Sequence, residues 1–304
     1  MLWEAMGAVI GAGFASGAEI AVFFSRSGRW SWLGVAAAML TSQALIGRIR
    51  ALGGAAFRLP CWRIAFGLLA MVSGGAMTAA AGEIAALTLP MHGARFVGML
   101  GAMVAAHLCV RRNTALFRRL CQGLTVLLTA LMLLCLVLPP QPAAVIGQAR
   151  DPAAAILCGV CWAGFNLALA APLMTQPGAS ARMLPLLLGA LLALGNALLL
   201  RQQTAMHAAL PLVRLTARFG HAGYALCCAS LLLAEVSTLS AALGTLSQLL
   251  PRQARWGGPA GIMLIALAGF GPVVGQLYPA LGAVCTVLML LPKVGTSHRA
   301  KNML

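Results

Sequence analysis

Apolar runs of about 20 residues, the length a helix needs to cross the hydrocarbon core, follow one another along the whole chain. Short stretches holding the Arg, Pro and polar residues separate them. The pattern predicts ten spans, at 1–24, 31–49, 64–89, 95–110, 116–138, 152–174, 184–200, 222–249, 257–270 and 276–291. Pro139-Pro140 stop the fifth span and Pro292 stops the tenth. Asp151 stands where a helix N-cap belongs, with Pro152 at the first helical position. Segment 202–220 is too polar to span, since His207, Arg214 and Arg218 share it with Leu210, Leu212, Val213 and Leu215. It predicts an interfacial or re-entrant helical hairpin bent at Pro211. The polar loop 141–151 divides the spans five and five: 1–140 is one repeat, 152–292 the other, and 293–304 a tail. An odd number of spans per half turns the second half upside down, the plan of many secondary transporters. The expected fold class is therefore an all-α polytopic membrane protein built as a 5+5 inverted repeat.

Span 1 is interrupted by its own composition. Gly11, Gly13 and Gly17 crowd its middle, and each glycine costs about 1 kcal/mol against Ala in a helix interior. Ser16 and Glu19 have capping-box spacing ahead of an apolar run. One helix should end near Gly11 and another begin near Ser16. Unwound backbone at membrane depth is tolerated only where it is buried in protein or lines a cavity. Gly11, Gly13, Phe14, Ala15, Ser16 and Gly17 thus form half of a candidate substrate site. Span 6 offers Gly159, Trp162, Gly164, Phe165 and Asn166 at a matching depth, with Asn166 placed to cap a second half-helix. The stretch of chain from Gly13 to Gly164 nearly equals that from Glu83 to Glu235. The competing reading is that these glycines are helix-packing residues and that the aromatic rings only fill the core.

Asp and Glu together number only 5. Glu19, Glu83 and Glu235 fall inside spans, where an acid is a functional hypothesis by default. Glu19 reads first as the capping-box partner of Ser16. Glu83, on span 3, pairs with Glu235 under the repeat, so the two should flank the site. Ser73, Gly74, Gly75 and Thr78 on span 3 leave room for a substrate. Glu235 lies mid-span, with Thr238 a turn further on the same face. Against a role for Ser237 and Thr238 stands the common habit of Ser and Thr of bonding back to the preceding helical turn.

Composition narrows the class further. Hydrophobic residues make up 61% of the chain and charged residues 9%, which excludes a soluble domain. The formal charge of +16 comes from Arg scattered singly and in pairs, with no basic stripe or nucleic-acid module. It reads as topology instead. With both termini cytoplasmic, the cytoplasmic loops carry about twice the Lys and Arg of the others. The N-terminus lacks the basic region of a secretory signal. Cys158 and Cys161 have redox spacing without a βαβ context. No His has metal spacing with another His or an acid. No catalytic constellation appears, so an enzyme is not expected.

Gly11-Ala-Gly13-Phe-Ala-Ser-Gly17-Ala-Glu19-Ile-Ala-Val-Phe-Phe24 resembles the YkvI-type membrane proteins of the amino acid–polyamine–organocation superfamily. Looser likenesses are Trp162-Ala-Gly-Phe-Asn166 with Pro172, Ala234-Glu235 with Ser237-Thr238, and Tyr278-Pro279. The resemblance implies a LeuT-like fold with spans 1 and 6 discontinuous, in a bacterial cytoplasmic membrane. It implies alternating access, with spans 1, 2, 6 and 7 moving against 3, 4, 8 and 9. Ala234 to Thr238 is similar to the span 8 pattern of sodium-coupled members. By that likeness, ion ligands would be the Ala234 carbonyl, Ser237, Thr238 and carbonyls from Ile10 to Gly13. Glu235 departs from the pattern, either adding charge at the ion or taking a proton in place of sodium. Positive helix ends favour a carboxylate, and Phe14, Trp162 and Phe165 favour an ammonium or an apolar side chain. The expected partners are a small amino acid or amine-like solute and the lipid bilayer, without nucleic acid. No cofactor is expected beyond Na+ or H+ as coupling ion. The alternative is a membrane sensor or receptor that binds on the same fold without transporting.

Overall fold

A computed structural model describes residues 12–56, 59–110, 114–141, 151–174, 183–254 and 256–291. Among them, every element is helical apart from an isolated bridge between Gln141 and Gln202. Six helices are long and apolar enough to cross a bilayer, and three shorter apolar helices accompany them. The chain is an all-α, multi-pass membrane protein. Its outer surface carries exposed Leu40, Ile64, Val104, Val137 and Leu264, while Ser25, Ser31, Asn166, Asn196 and Glu235 are buried. Large apolar side chains outside and polar ones inside suit a lipid surround.

The helices in order are α1 (Ala12–Ala15), α2 (Ala18–Phe23), α3 (Ser31–Ala56), α4 (Pro60–Thr88), α5 (Ala94–Val110) and α6 (Thr114–Cys135). After them come α7 (Pro152–Met174), α8 (Leu184–Arg201), α9 (Gln203–Met206), α10 (Pro211–Thr216), α11 (Gly220–Leu249), α12 (Gly257–Leu267) and α13 (Phe270–Leu290). A π-helical turn, Val273–Leu277, interrupts α13. Most boundaries match the apolar pattern closely. Asp151 caps α7 as expected, with its Oδ1 accepting the Ala154 N–H at 2.6 Å.

Span 1 is interrupted, though later than expected. Ala12–Ala15 is already helical, and the break is the pair Ser16–Gly17. Gly17 has φ 81°, a left-handed conformation that costs roughly 1–2 kcal/mol for a residue with a Cβ. Span 6 is not interrupted. The expectation of a break at residues 159–166 is wrong: α7 runs unbroken from Pro152 to Met174. Its glycines serve close packing instead. A Cβ on Gly159 would strike the Gly34 carbonyl of α3, and one on Gly164 would strike Thr286 Oγ1 and the Gly282 carbonyl of α13. Gly282 in turn faces the Cys161 carbonyl. α7 is thus clamped between two helices whose backbones approach it directly.

The segment between α8 and α11 folds as the short hairpin α9–α10, bent at Pro211. Leu210 through Val213 are buried, as are Leu215 and Thr216. The hairpin reaches the break in span 1. The Leu212 N–H donates to the Ser16 carbonyl at 2.9 Å, and Pro211 lies against Gly17. The interruption therefore has a partner for a backbone oxygen that no helix satisfies.

Candidate functional site

The Ser16–Gly17 break turns α2 so that Glu19 points into the bundle, 3% exposed. The capping box does not close. Ser16 Oγ donates to the Gly13 carbonyl at 2.9 Å and accepts the Ala18 N–H at 3.3 Å, so the hydroxyl does cap locally. Glu19 does not return to Ser16. Its carboxylate accepts the Trp162 Nε1–H of α7 at 3.1 Å, with the Asn166 amide in reach as a second donor. Asn166 is not a helix cap. Its Nδ2 donates to the Trp162 carbonyl one turn back at 3.1 Å, which ties it to the same cluster. Glu19 Oε1 lies over Gly13, and a Cβ at Gly13 would collide with it. That contact, rather than helix breaking, is what glycine at 13 permits.

Aromatic rings pack around the Trp162 indole that holds this carboxylate. Trp162 sits 6.4 Å from Phe14 and 5.8 Å from Phe24, centroid to centroid, the latter edge-on at 66°. Phe165 turns away from the group and stacks on Tyr278 of α13 at 4.0 Å and 23°. Tyr278 is 1% exposed and lies within electrostatic reach of Glu19 on one side and beside Ser73 on the other. Ala15 is core packing. Gly11 and Ile10 fall outside the described residues. The structure thus brings together Gly13, Phe14, Ser16, Gly17, Trp162 and Asn166 from the expected substrate set. It adds Glu19, which the sequence pattern assigned to a cap. It also adds Phe24 and Tyr278, to which the pattern gave no role. Tyr278 is one of 2 tyrosines in the chain, and a polar ring inside an apolar run was the signal available for it.

The expected ion ligands form a second cluster on α11. Ser237 Oγ and Thr238 Oγ1 both donate to the Ala234 carbonyl, at 2.8 and 3.0 Å. Three oxygens therefore converge, a hard donor set of the kind a small cation takes. Both hydroxyl protons point at the carbonyl, so the hydroxyls would turn to receive an ion. In the span 1 set, Ile10 and Gly11 lie outside the described residues, and the Gly13 carbonyl accepts from Ser16 instead. Glu235 is 1% exposed, and neither carboxylate oxygen has a hydrogen-bond partner among the described residues.

Glu83 does not join Glu235 across the site. It pairs with Arg95 of α5 at 2.9 Å, on a half-exposed edge of the bundle. α4 and α11 run antiparallel: Arg63 bonds the Leu249 carbonyl at one end and Tyr224 the Leu87 carbonyl at the other. That register places Glu83 about two turns, or roughly 10 Å, beyond the level of Glu235. Gly74 and Gly75 receive Ile262 and Ile265 of α12 rather than a substrate.

A cavity of about 360 Å³ lies where α4 begins and α11 ends. Phe66, Ala70, Ser73, Leu169, Thr238 and Thr245 are among the residues lining it. Ala241 and Gln248, also in its wall, are exposed, so the cavity opens outward at this end. The α9–α10 hairpin has no part in that wall and packs instead against the Ser16–Gly17 break. Among the described residues no three His, Cys, Asp or Glu gather as a metal site. A comparison with protein-family models and with curated proteins returns no match to this chain.

Proposed function

We propose that the protein is a cation-coupled secondary transporter of a small amino acid or amine-like solute, working by alternating access. The observation that carries this reading is Glu235. A carboxylate held at membrane depth without a hydrogen-bond partner among its described neighbours costs several kcal/mol unless it takes up a proton or a cation. An acid kept at that cost is a coupling group. Three further features support the reading: an interrupted span that turns the Glu19 carboxylate into the bundle, a cavity opening at one end, and a hairpin packed against the break. Ten spans in a LeuT-like inverted repeat would account for the six long helices, the three shorter ones and the interrupted segment. The likeness of Gly11–Phe24 to YkvI-type proteins points the same way, as does a place in a bacterial cytoplasmic membrane with both termini inside.

The unbroken, glycine-clamped α7 favours a second reading, a sensor that binds its ligand without moving it. Rocking of spans 1, 2, 6 and 7 as one body would carry α3 along with α7, so the direct backbone contact that resists it is the one between α7 and α13.

Uptake into proteoliposomes under separate sodium and pH gradients tests the proposal. Flux should follow one gradient and lose that dependence in Glu235→Gln, while the variant keeps its elution profile and helicity. Gradient-driven flux unchanged in Glu235→Gln removes this acid from coupling. Ligand binding without flux in the wild type selects the sensor.

A further inference from the structure

We propose that the cavity between α4 and α11 is a binding site for an uncharged, largely apolar molecule that carries a hydrogen-bond donor, such as an aromatic alcohol or a phenol. The inference goes beyond the transport reading and does not rest on it. Size, polarity and charge each narrow the ligand.

The cavity holds about 360 Å³, within the range of about 300–1,000 Å³ typical of small-molecule sites. The register of α4 on α11 sets Ser73 opposite Thr238 at its inner end, and Phe66 opposite Thr245 nearer the opening. From Thr238 to Gln248 at the mouth is roughly 15 Å along α11. The walls are mostly apolar. Ala70 and Ala242 line the middle, Leu169 of α7 closes one side, and Phe66 presents a ring that Trp62 backs at 5.6 Å between centroids. Small residues facing an aromatic ring leave a slot suited to another ring.

The polar groups in this wall select a donor. Thr238 Oγ1 donates to the Ala234 carbonyl at 3.0 Å, and Thr245 Oγ1 donates to the Ala241 carbonyl at 3.0 Å. Their protons are committed within α11, and their lone pairs are what remains to offer. Both threonines therefore serve the cavity as acceptors. A ligand O–H or N–H that reaches one of them replaces the bond it gave up to water. A ligand with acceptors only does not gain that bond.

Charge is excluded from both directions. Among the described residues of the wall, none is charged. A cation meets Arg63 at the mouth, where the guanidinium donates to the carbonyl of Leu249, itself a wall residue, at 3.3 Å. An anion that passes the mouth reaches the two threonine acceptors. Either charge would be taken from water without a partner inside, which is costly. Under the transport reading, a neutral molecule seated here closes the open end of the route and acts as an inhibitor.

The test uses the full chain in detergent micelles at fixed pH and ionic strength, read by fluorine NMR against protein-free micelles. The probes share one ring: para-fluorobenzyl alcohol, its methyl ether, para-fluorobenzylammonium and para-fluorobenzoate. The alcohol should bind saturably, about fivefold more tightly than the ether and about tenfold or more over either charged probe. Ala242→Phe, which fills the slot, should abolish the saturable component. Thr238→Val combined with Thr245→Val keeps the shape, removes both acceptors, and should bring the alcohol down to the level of the ether. No saturable alcohol binding, an ether or a charged probe that binds as tightly, or undiminished binding in Ala242→Phe each overturns the proposal. If Ala242→Phe does not fold, the paired valine variant decides, and an alcohol that keeps its advantage there overturns the proposal. In proteoliposomes, saturable binding that leaves flux unchanged keeps this site and takes the cavity out of the transport route. Binding with no flux under any gradient keeps the site and removes the transport reading alone.

Discussion

Span 1 and α7 contain similar residues and fold differently. Both place glycines and aromatic rings near mid-membrane, followed by a short polar side chain. Only span 1 breaks. Its break needs more than glycine: Gly17 takes a left-handed conformation, Ser16 Oγ serves two neighbouring backbone groups, and Leu212 reaches in from another element to satisfy the Ser16 carbonyl. On α7 the outside donor, Thr286 Oγ1 of α13, reaches the Val160 carbonyl only at 3.4 Å and bonds its own Gly282 carbonyl at 2.8 Å. Helices from both sides fill the space its glycines leave. A membrane helix opens where tertiary structure supplies partners for the freed backbone groups, and stays closed where glycine is used up in packing.

The sharpest way to break this contrast is at Gly164. Gly164→Leu must displace the backbone of α13, which no rotamer change relieves, so it should cost about 3 kcal/mol or more. Thermal unfolding in detergent should show a much lowered midpoint or no folded protein. A well-folded Gly164→Leu with normal stability would mean that α7 is not clamped. Gly17→Ala comes next, at about 2 kcal/mol, from left-handed strain together with pressure on Pro211 at 3.3 Å. It should also loosen the α9–α10 hairpin, seen as faster amide exchange at Leu212. Ser16→Ala is the mildest. Losing one buried hydroxyl cap should cost about 1 kcal/mol, with a wild-type unfolding profile otherwise. It sharpens the comparison because the same change at Ser237, a hydroxyl bonding back within an unbroken helix, should cost less.

Much of the architecture was legible from the residues. The apolar helices, the Asp151 cap, the Pro211 bend and an interruption of span 1, expected between Gly11 and Ser16 and found at Ser16–Gly17, follow from apolar run length and local backbone chemistry. The site was only partly legible. Ser16 with Glu19 has perfect capping spacing, yet Glu19 turns away from the Ser16 N–H to Trp162, far away in sequence, whose indole N–H stands across the helix interface at 3.1 Å from its carboxylate. Glu83 matched Glu235 in repeat position, but its level on α4 and the nearness of Arg95 gave it a different partner. Ser237 and Thr238 look like ion ligands in sequence and bond to Ala234 in the fold.

The chain by itself determined that it crosses a membrane many times as helices, since the apolar length needed to span hydrocarbon is written along one dimension. Only the tertiary structure decided which glycine opens a helix and which admits a neighbour, and which acid is held by an indole and which has no hydrogen-bond partner among the described residues. Those outcomes depend on what stands across each helix interface, and sequence spacing within a single span does not carry that information.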